Sequence, residues 1–541
     1  MKRLLFTGML LVLAVGLFTG CGKKEAAPQA AMQGTEPGKV DYSKHLTADG
    51  RTFVTVALGD DPGTLDPAAF GAIFALDMTM YMLRECLVER VGGKLISQIA
   101  KNWTVEPDNL TWHVEIFDYI YDSAGNHFTA DDAVFCYERA KKEGFNSTSF
   151  YTSVTKDSDY TFTIKLTDAM VGVFDQVANA IGLYTKKAFE DANGEFGTKP
   201  VFTGAYKLAN WVSGTSLRLE KNENYWQKPE LCNIYAAQNV DIIDFVIIRD
   251  SAQLAIALET GAVDMVYNLS AMEAERFAPG GSSSKGFKVW EFENLETQFM
   301  YLNQSPSSVF SGDINLRRAV MHSMDMQGLI DGAVGGRAVV AKTFGNSLVV
   351  DYQKQWDTED YFKYDLDYAK QCLSLSKYNG QTVRIMVSGN PMHGAMALIL
   401  QGFLTETGIK SEILTYDNAL FNGYKYDETQ WDIMFDQTSW SGPFPTQWRD
   451  KFDARTFRGG KQGFIAVRDP KFQEMIAGAD NVSTYSPETV NAFHQYLKDQ
   501  AYARGLFNQM SQSVSTDIVV EYMNHRAGSL FTAGCKFVWN E

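Results

Sequence analysis

Ile242-Ile243-Asp244-Phe245-Val246-Ile247-Ile248 is a nearly continuous apolar run, whereas Leu110-Thr111-Trp112-His113-Val114-Glu115-Ile116 alternates apolar and polar at every step. The two patterns predict different strands. A run that is apolar on successive residues buries both faces, as in the middle of a sheet covered on both sides. Strict alternation buries one face and is typical of antiparallel pairing. Tyr160, Phe162, Ile164 and Leu166 repeat the alternation, and Val54-Val56-Leu58 and Leu217-Leu219 give shorter examples. Helices are predicted between these strands. Thr129 with Asp132 reads as an N-terminal cap. Ser251 to Glu259 is stopped by Gly261. Asp313 precedes one long helix with Leu316, Val320 and Met324 at spacing four. Pro391 to Glu406 ends before a strand at Ile409–Leu414, and Pro487 opens a helix reaching about Gly505. The mixture gives an α/β fold with an α+β portion.

The chain begins with Lys2 and Arg3, an apolar run from Leu4 to Phe18, and then Thr19-Gly20-Cys21. This reads as a secretory signal. Ending on Cys, it resembles a bacterial lipoprotein signal, which is cleaved before the cysteine that is then acylated. The alternative is an uncleaved anchor, although the run is short of the ~20 residues a spanning helix needs. Both readings put the remainder outside the cytoplasm. Residues 1–20 are thus a signal peptide, and residues 21–50, rich in Lys, Ala, Gln, Gly and Pro, a flexible tether. About 490 residues of body remain. That exceeds the ~250–300 residues at which one core stops growing, so at least two domains are expected.

The net charge is −16, becoming −18 once Lys2 and Arg3 are lost with the first 20 residues. Such a chain has no electrostatic footprint for nucleic acid. Five cysteines besides Cys21 are widely spaced, without CxxC or Cys/His pairs at zinc spacing, and read as buried free thiols, with a single bridge as the alternative. No GxSxG, HExxH, Walker or GxGxxG motif is present. Ser282-x-x-Lys285 and Ser374-x-x-Lys377 are four-residue patterns met by chance, the first inside a Gly/Ser surface loop. The balance favours a binding protein with no cofactor and no metal site. A secreted hydrolase acting on peptides or oligosaccharides is the rival, requiring a nucleophile or carboxylate pair that the motifs do not reveal.

Further segments line up in order with a known family. Asp60-Asp61-Pro62-Gly63-Thr64-Leu65-Asp66-Pro67 follows the first strand. It resembles the E-P-x-x-L-D-P opening of the bacterial extracellular solute-binding proteins of family 5, the oligopeptide, dipeptide and nickel binders of ABC importers. Trp103 with Thr111-Trp112, Phe128-Thr129-Ala130-Asp131-Asp132, Thr203-Gly204-Ala205-Tyr206, Asn222-Glu223-Asn224-Tyr225-Trp226 and Leu316-Arg317-Arg318-Ala319 are similar to its later motifs.

The resemblance implies a two-lobed, type II periplasmic-binding-protein-like fold with an extra small subdomain and lobes built from discontinuous segments. Lobe I is expected at 51–75, 201–300 and 506–541, the subdomain at 76–200, and lobe II at 301–505. The implied partners are a peptide-like or other small solute, an ABC permease with its ATPase, and a membrane reached only through the Cys21 lipid. The protein is expected to be a monomer. Cleft candidates are Asp61 and Thr64 after the first strand, Asn390 and His393 at a helix start, and Trp440, Ser441, Phe444 and Trp448 on the segment that lines the family's pocket. One departure bears on the ligand. Peptide binders typically place an ammonium-pairing Asp where this chain, aligned on Pro445, has Ser441. Asp436 and Asp450 are the nearby carboxylates that could stand in. A sugar or metal chelate is the alternative solute.

Overall fold

The computed structural model describes residues 41–69, 73–91, 94–231, 234–359, 361–439, 442–454, 467, 469–525 and 529–541. Cys21, Cys232, Trp440 and Ser441 lie outside them. Among the described residues one eleven-stranded sheet runs through the molecule, ten strands in a row and an eleventh, Ala338–Val340, paired off the row with Ala503–Thr516. Its spine is a pair of long antiparallel strands, Phe287–Leu302 and Ala503–Thr516. Beyond the first come Ile433–Ser439, Val383–Ser388 and Ser411–Tyr416; beyond the second come Met265–Val266, Phe53–Leu58, Ile242–Ile247, Ser216–Lys221 and Tyr206–Val212. The apolar run becomes the interior strand Ile242–Ile247, parallel to Phe53–Leu58 and antiparallel to Ser216–Lys221. The alternating segments form a separate four-stranded antiparallel sheet: Ala100–Val105, Thr111–Ile116, Thr161–Leu166 and Tyr151–Ser158. Its buried face holds Val114, Phe162 and Ile164. The helix Ala130–Lys142 starts where Thr129 and Asp132 cap it reciprocally.

Buried apolar side chains gather on either side of the spine. One cluster is drawn wholly from 299–507, including Phe299, Trp356, Met386 and Phe493. A second, from 54–292 and 518–537, joins the four-stranded sheet to the sheet end around Ile243 and Phe245. A smaller third packs Leu254, Leu258 and Phe277 against Val514. Fully burying one large apolar side chain is worth roughly 1.5–3 kcal/mol, so these clusters are the main favourable term.

Three expectations are corrected. The long helix after Asp313 is two helices, Ile314–His322 and Met326–Val334. The Asp325 carboxylate accepts from the Gln327 N–H and starts the second, although the buried spacing runs on through Met324. The helix from Pro487 ends at Gln500, because Ala501 turns to φ +53° and the chain enters the spine. Residues 41–50, assigned to the tether, pack on the body: the Tyr42 and Trp539 rings lie 5.8 Å apart and His45 Nδ1 is 3.7 Å from Asp264. Cys86, Cys136, Cys372 and Cys535 are buried free thiols.

Candidate functional site

The loop after Phe53–Leu58 carries Asp60 to Asp66. Asp61 is used locally: Oδ1 accepts from the Gly63 N–H at 2.7 Å, and Oδ2 from the Gly214 N–H. Thr64 Oγ1 accepts from the Asp66 N–H at 3.1 Å and sits against Gly197, where an added Cβ would come within 2.6 Å of it. Asp66 pairs with Arg139, whose guanidinium also donates to Tyr184 Oη at 2.7 Å. The loop is thereby fastened to the subdomain. Asp60, one residue earlier, accepts from Arg249 Nη2 at 2.8 Å, which holds its carboxyl below the usual range.

Asp60 lies on the wall of a cavity of about 560 Å³. Asn268 and Ser270 line it from the same half, Val334 and Arg337 from the other, and Gln509 and Gln512 from the spine. Its charges are braced from behind. Arg337 pairs with Glu275 and lies 3.5 Å from Glu291, while Gln512 Nε2 donates to Glu291. That donation fixes the amide's orientation, since a carboxylate only accepts.

A second cavity, of about 280 Å³, opens at the end of Val383–Ser388 and includes Asn390, His393, Asp436 and Gln437. Asn390 Oδ1 accepts from the Met392 N–H at 2.9 Å and caps the helix Pro391–Thr407. His393 is buried, with Nε2 3.1 Å from Gln298 Oε1 and Nδ1 3.5 Å from Ser388 Oγ. Gln298 donates its own amide to Glu296 at 2.8 Å, so its oxygen faces the ring and His393 carries its proton on Nε2. Burial lowers the His393 pKa and keeps the ring neutral. Burial also pushes Glu296 up to about 7, with Asp436 adding repulsion. Asp436 Oδ2 lies 3.6 Å from Lys451 Nζ.

The structure therefore separates the sequence candidates. Asn390 and His393 share a cavity with Asp436. Asp61 and Thr64 are turn and packing residues, and the cavity-lining Asp60 beside them was missed. Phe444 and Trp448 are core residues: the Phe444 ring packs on Trp356 and Phe493, and Trp448 packs on Phe344 and stacks on Phe452. Their apolar character suits either role, which is why the sequence could not distinguish a cleft from a core. Gln298, Gln509 and Gln512 sit inside long strands that gave no sequence signal. Among the described residues, no group of three or more His, Cys, Asp or Glu side chains could hold a metal ion.

The family model of the bacterial extracellular solute-binding proteins, family 5 (Middle), matches residues 94–456. The chain belongs to this family. Over 93% of its length and 93% of the relative's it is 22% identical to the oligopeptide-binding protein AppA of Bacillus subtilis. The solved structure of that AppA with a nonapeptide superposes with a TM-score of 0.68 over 90% of this chain and 98% of that one, at 18% identity. The Brucella suis NikA structure with Fe(III)-EDTA gives 0.75 over 90% and 99%, also at 18%. The family 5 protein described here is thus an extracytoplasmic solute-binding component of an ABC importer, of a non-catalytic family, and the hydrolase alternative falls away.

Proposed function

We propose that the protein captures a peptide-like solute by closing lobe II, 301–505, onto lobe I, 51–75, 201–300 and 506–541 with its subdomain 76–200, and delivers it to a permease and its ATPase. The spine strands Phe287–Leu302 and Ala503–Thr516 carry the chain between lobes and act as the hinge. The observation that carries this reading is the cavity of about 560 Å³ with walls from both lobes, since a ligand held there is enclosed only while they are together. Its volume falls in the ~300–1,000 Å³ range of small-molecule sites. The second cavity, with Asn390, His393 and Asp436, takes another part of the same solute. The protein acts as a monomer, tethered through acylated Cys21 after loss of residues 1–20. Replacing Cys21 by Ser should release it from the membrane fraction and abolish globomycin-sensitive processing; unchanged processing and lipid attachment would refute the anchor.

A peptide-like solute is preferred because the relative matched along almost the whole chain is named an oligopeptide binder. Ser441, standing where the family's peptide binders place an ammonium-pairing Asp, argues against dependence on a free N-terminus. Calorimetric titration with a short peptide and its N-acetylated twin tests this. Similar affinities are expected. A charge-assisted hydrogen bond is worth ~1.5–3 kcal/mol, so a free-amine preference of about 10-fold or more would mean that a carboxylate such as Asp436 has replaced the missing one.

A further inference from the structure

Subdomain and lobe II meet at a place that the lining of neither cavity includes. There, residues 169–176 lie against the end of the helix Pro470–Asp480 and the start of Phe444–Phe452. Backbone bonds run both ways across the seam: the Val171 N–H donates to the Asp480 carbonyl at 2.7 Å, and the Val482 N–H to the Ala169 carbonyl at 3.3 Å. Met170 and Asn481 form an antiparallel bridge. Gly172, at φ +73°, lets the chains approach so closely that an added Cβ would lie 3.3 Å from Thr446 Cγ2 and 3.4 Å from Pro443 Cδ.

Arg449 stands in this seam, fully buried. Its Nη1 donates to Asp480 Oδ1 at 3.2 Å and to the Val171 carbonyl at 3.1 Å, and its Nη2 donates to Gln176 Oε1 at 3.0 Å. The Phe150 ring lies 5.4 Å away. The subdomain side is held rigid, because Phe174 stacks on Trp112 at 3.9 Å and Asp175 pairs with Arg90. The distribution of charge is the telling feature. Arg449 and Asp480 both belong to lobe II, and Arg90 and Asp175 both belong to the subdomain. Splitting a buried ion pair costs ~3–5 kcal/mol, which would make such a seam permanent. Separation here leaves both of these pairs intact, and the hydrogen bonds that it breaks at Val171, Gln176 and Val482 can be replaced by water.

We propose that Arg449 latches the closed form, reaching from lobe II to the Val171 carbonyl and the Gln176 side chain so that the seam slows lobe opening and hence solute release. The latch rests on the lobe-closure reading above. Arg449 lines neither cavity and acts as a positioning residue.

Hydrogen exchange of the solute-free, full-length protein separates the latch from the closure it depends on. The reporters are the Val171 and Val482 amides. The references are Val177, in the helix Val173–Ala180 beside the seam, and Val56 in the central sheet. Val171 and Val482 should exchange at least about 100-fold faster than the references, through opening rather than unfolding. Gln176→Ala, which leaves the Arg449–Asp480 pair intact, should speed both reporters about 10-fold or more, the worth of one charge-assisted hydrogen bond, without changing the references. Gln176→Glu, which keeps an acceptor for Arg449, should restore the slower rate. Reporters as protected as Val56 in the unaltered protein would mean that the lobes do not part there, overturning closure and latch together. Fast reporters that Gln176→Ala leaves unchanged would overturn the latch alone. Equal acceleration of reporters and references would reduce the contact to structural support.

Discussion

Two loops occupy comparable places in the two halves. One follows Phe53–Leu58, which lies parallel to Ile242–Ile247; the other follows Val383–Ser388, parallel to Ser411–Tyr416. Open α/β sheets keep their sites at such strand ends. Both loops reach a cavity, but they spend their side chains differently. In the first, Asp61, Thr64 and Asp66 hold the turn and fasten it to the subdomain, leaving Asp60 on the cavity wall. In the second, Asn390 caps a helix and still lines the cavity beside His393. Strand-end position selects the segment; turn chemistry decides which side chain remains for a ligand.

Substitutions should separate these uses. Asp66→Ala leaves Arg139 without its carboxylate at a site where both side chains are largely buried. A loss of about 3 kcal/mol in denaturant unfolding is expected, toward the low end for a broken buried pair. A loss under 1 kcal/mol would show that the loop is not braced there.

In the second half, the His494 ring stacks on Trp356 at 4.1 Å and neither nitrogen has a hydrogen-bond partner. Burial pushes its pKa from 6.5 down to about 3. Below pH 6.5 the unfolded chain takes up a proton that the folded chain refuses. Its stability contribution is therefore present above pH 6.5 and lost at about 1.4 kcal/mol per unit as pH falls toward 3. Between pH 7 and 5, His494→Phe should gain about 2 kcal/mol relative to the unaltered protein. Parallel pH profiles for the two proteins would contradict a neutral, buried ring.

The smallest pair of effects tests the loop comparison itself. His393→Leu should weaken binding of the copurifying solute about 10-fold, since it removes the Nε2–H partner of Gln298 and frees that cavity-side network. Asp61→Ala should cost about 1 kcal/mol of stability and leave affinity unchanged. Calorimetry showing the reverse pattern would exchange the roles of the two loops.

Much of the architecture was legible. The interior strand at Ile242, the antiparallel sheet around Val114 and Phe162, and the helices that begin at Ala130, Ser251, Ile314, Pro391 and Pro487 followed from periodicity and caps. The spine did not. Phe287–Leu302 passes from one core to the other: Trp290 and Phe292 pack in the first, Phe299 to Leu302 in the second. A register shift between Glu293 and Thr297 breaks the alternation. Ala503–Thr516 buries Asn508, Ser511, Gln512, Ser513 and Ser515, so its polar sequence reads as a loop. Arg449 and Asp480 are 31 residues apart and meet the 169–176 segment only through the fold. No local pattern announces such a seam.

Solute capture by closure around the interlobe cavity can be followed in solution. The most direct measurement is to strip the purified protein with mild denaturant, identify the released solute by mass spectrometry, and return it during small-angle scattering. A smaller radius of gyration is expected at saturation, with a melting temperature that climbs with solute concentration. A saturated protein whose radius does not change would contradict capture by closure.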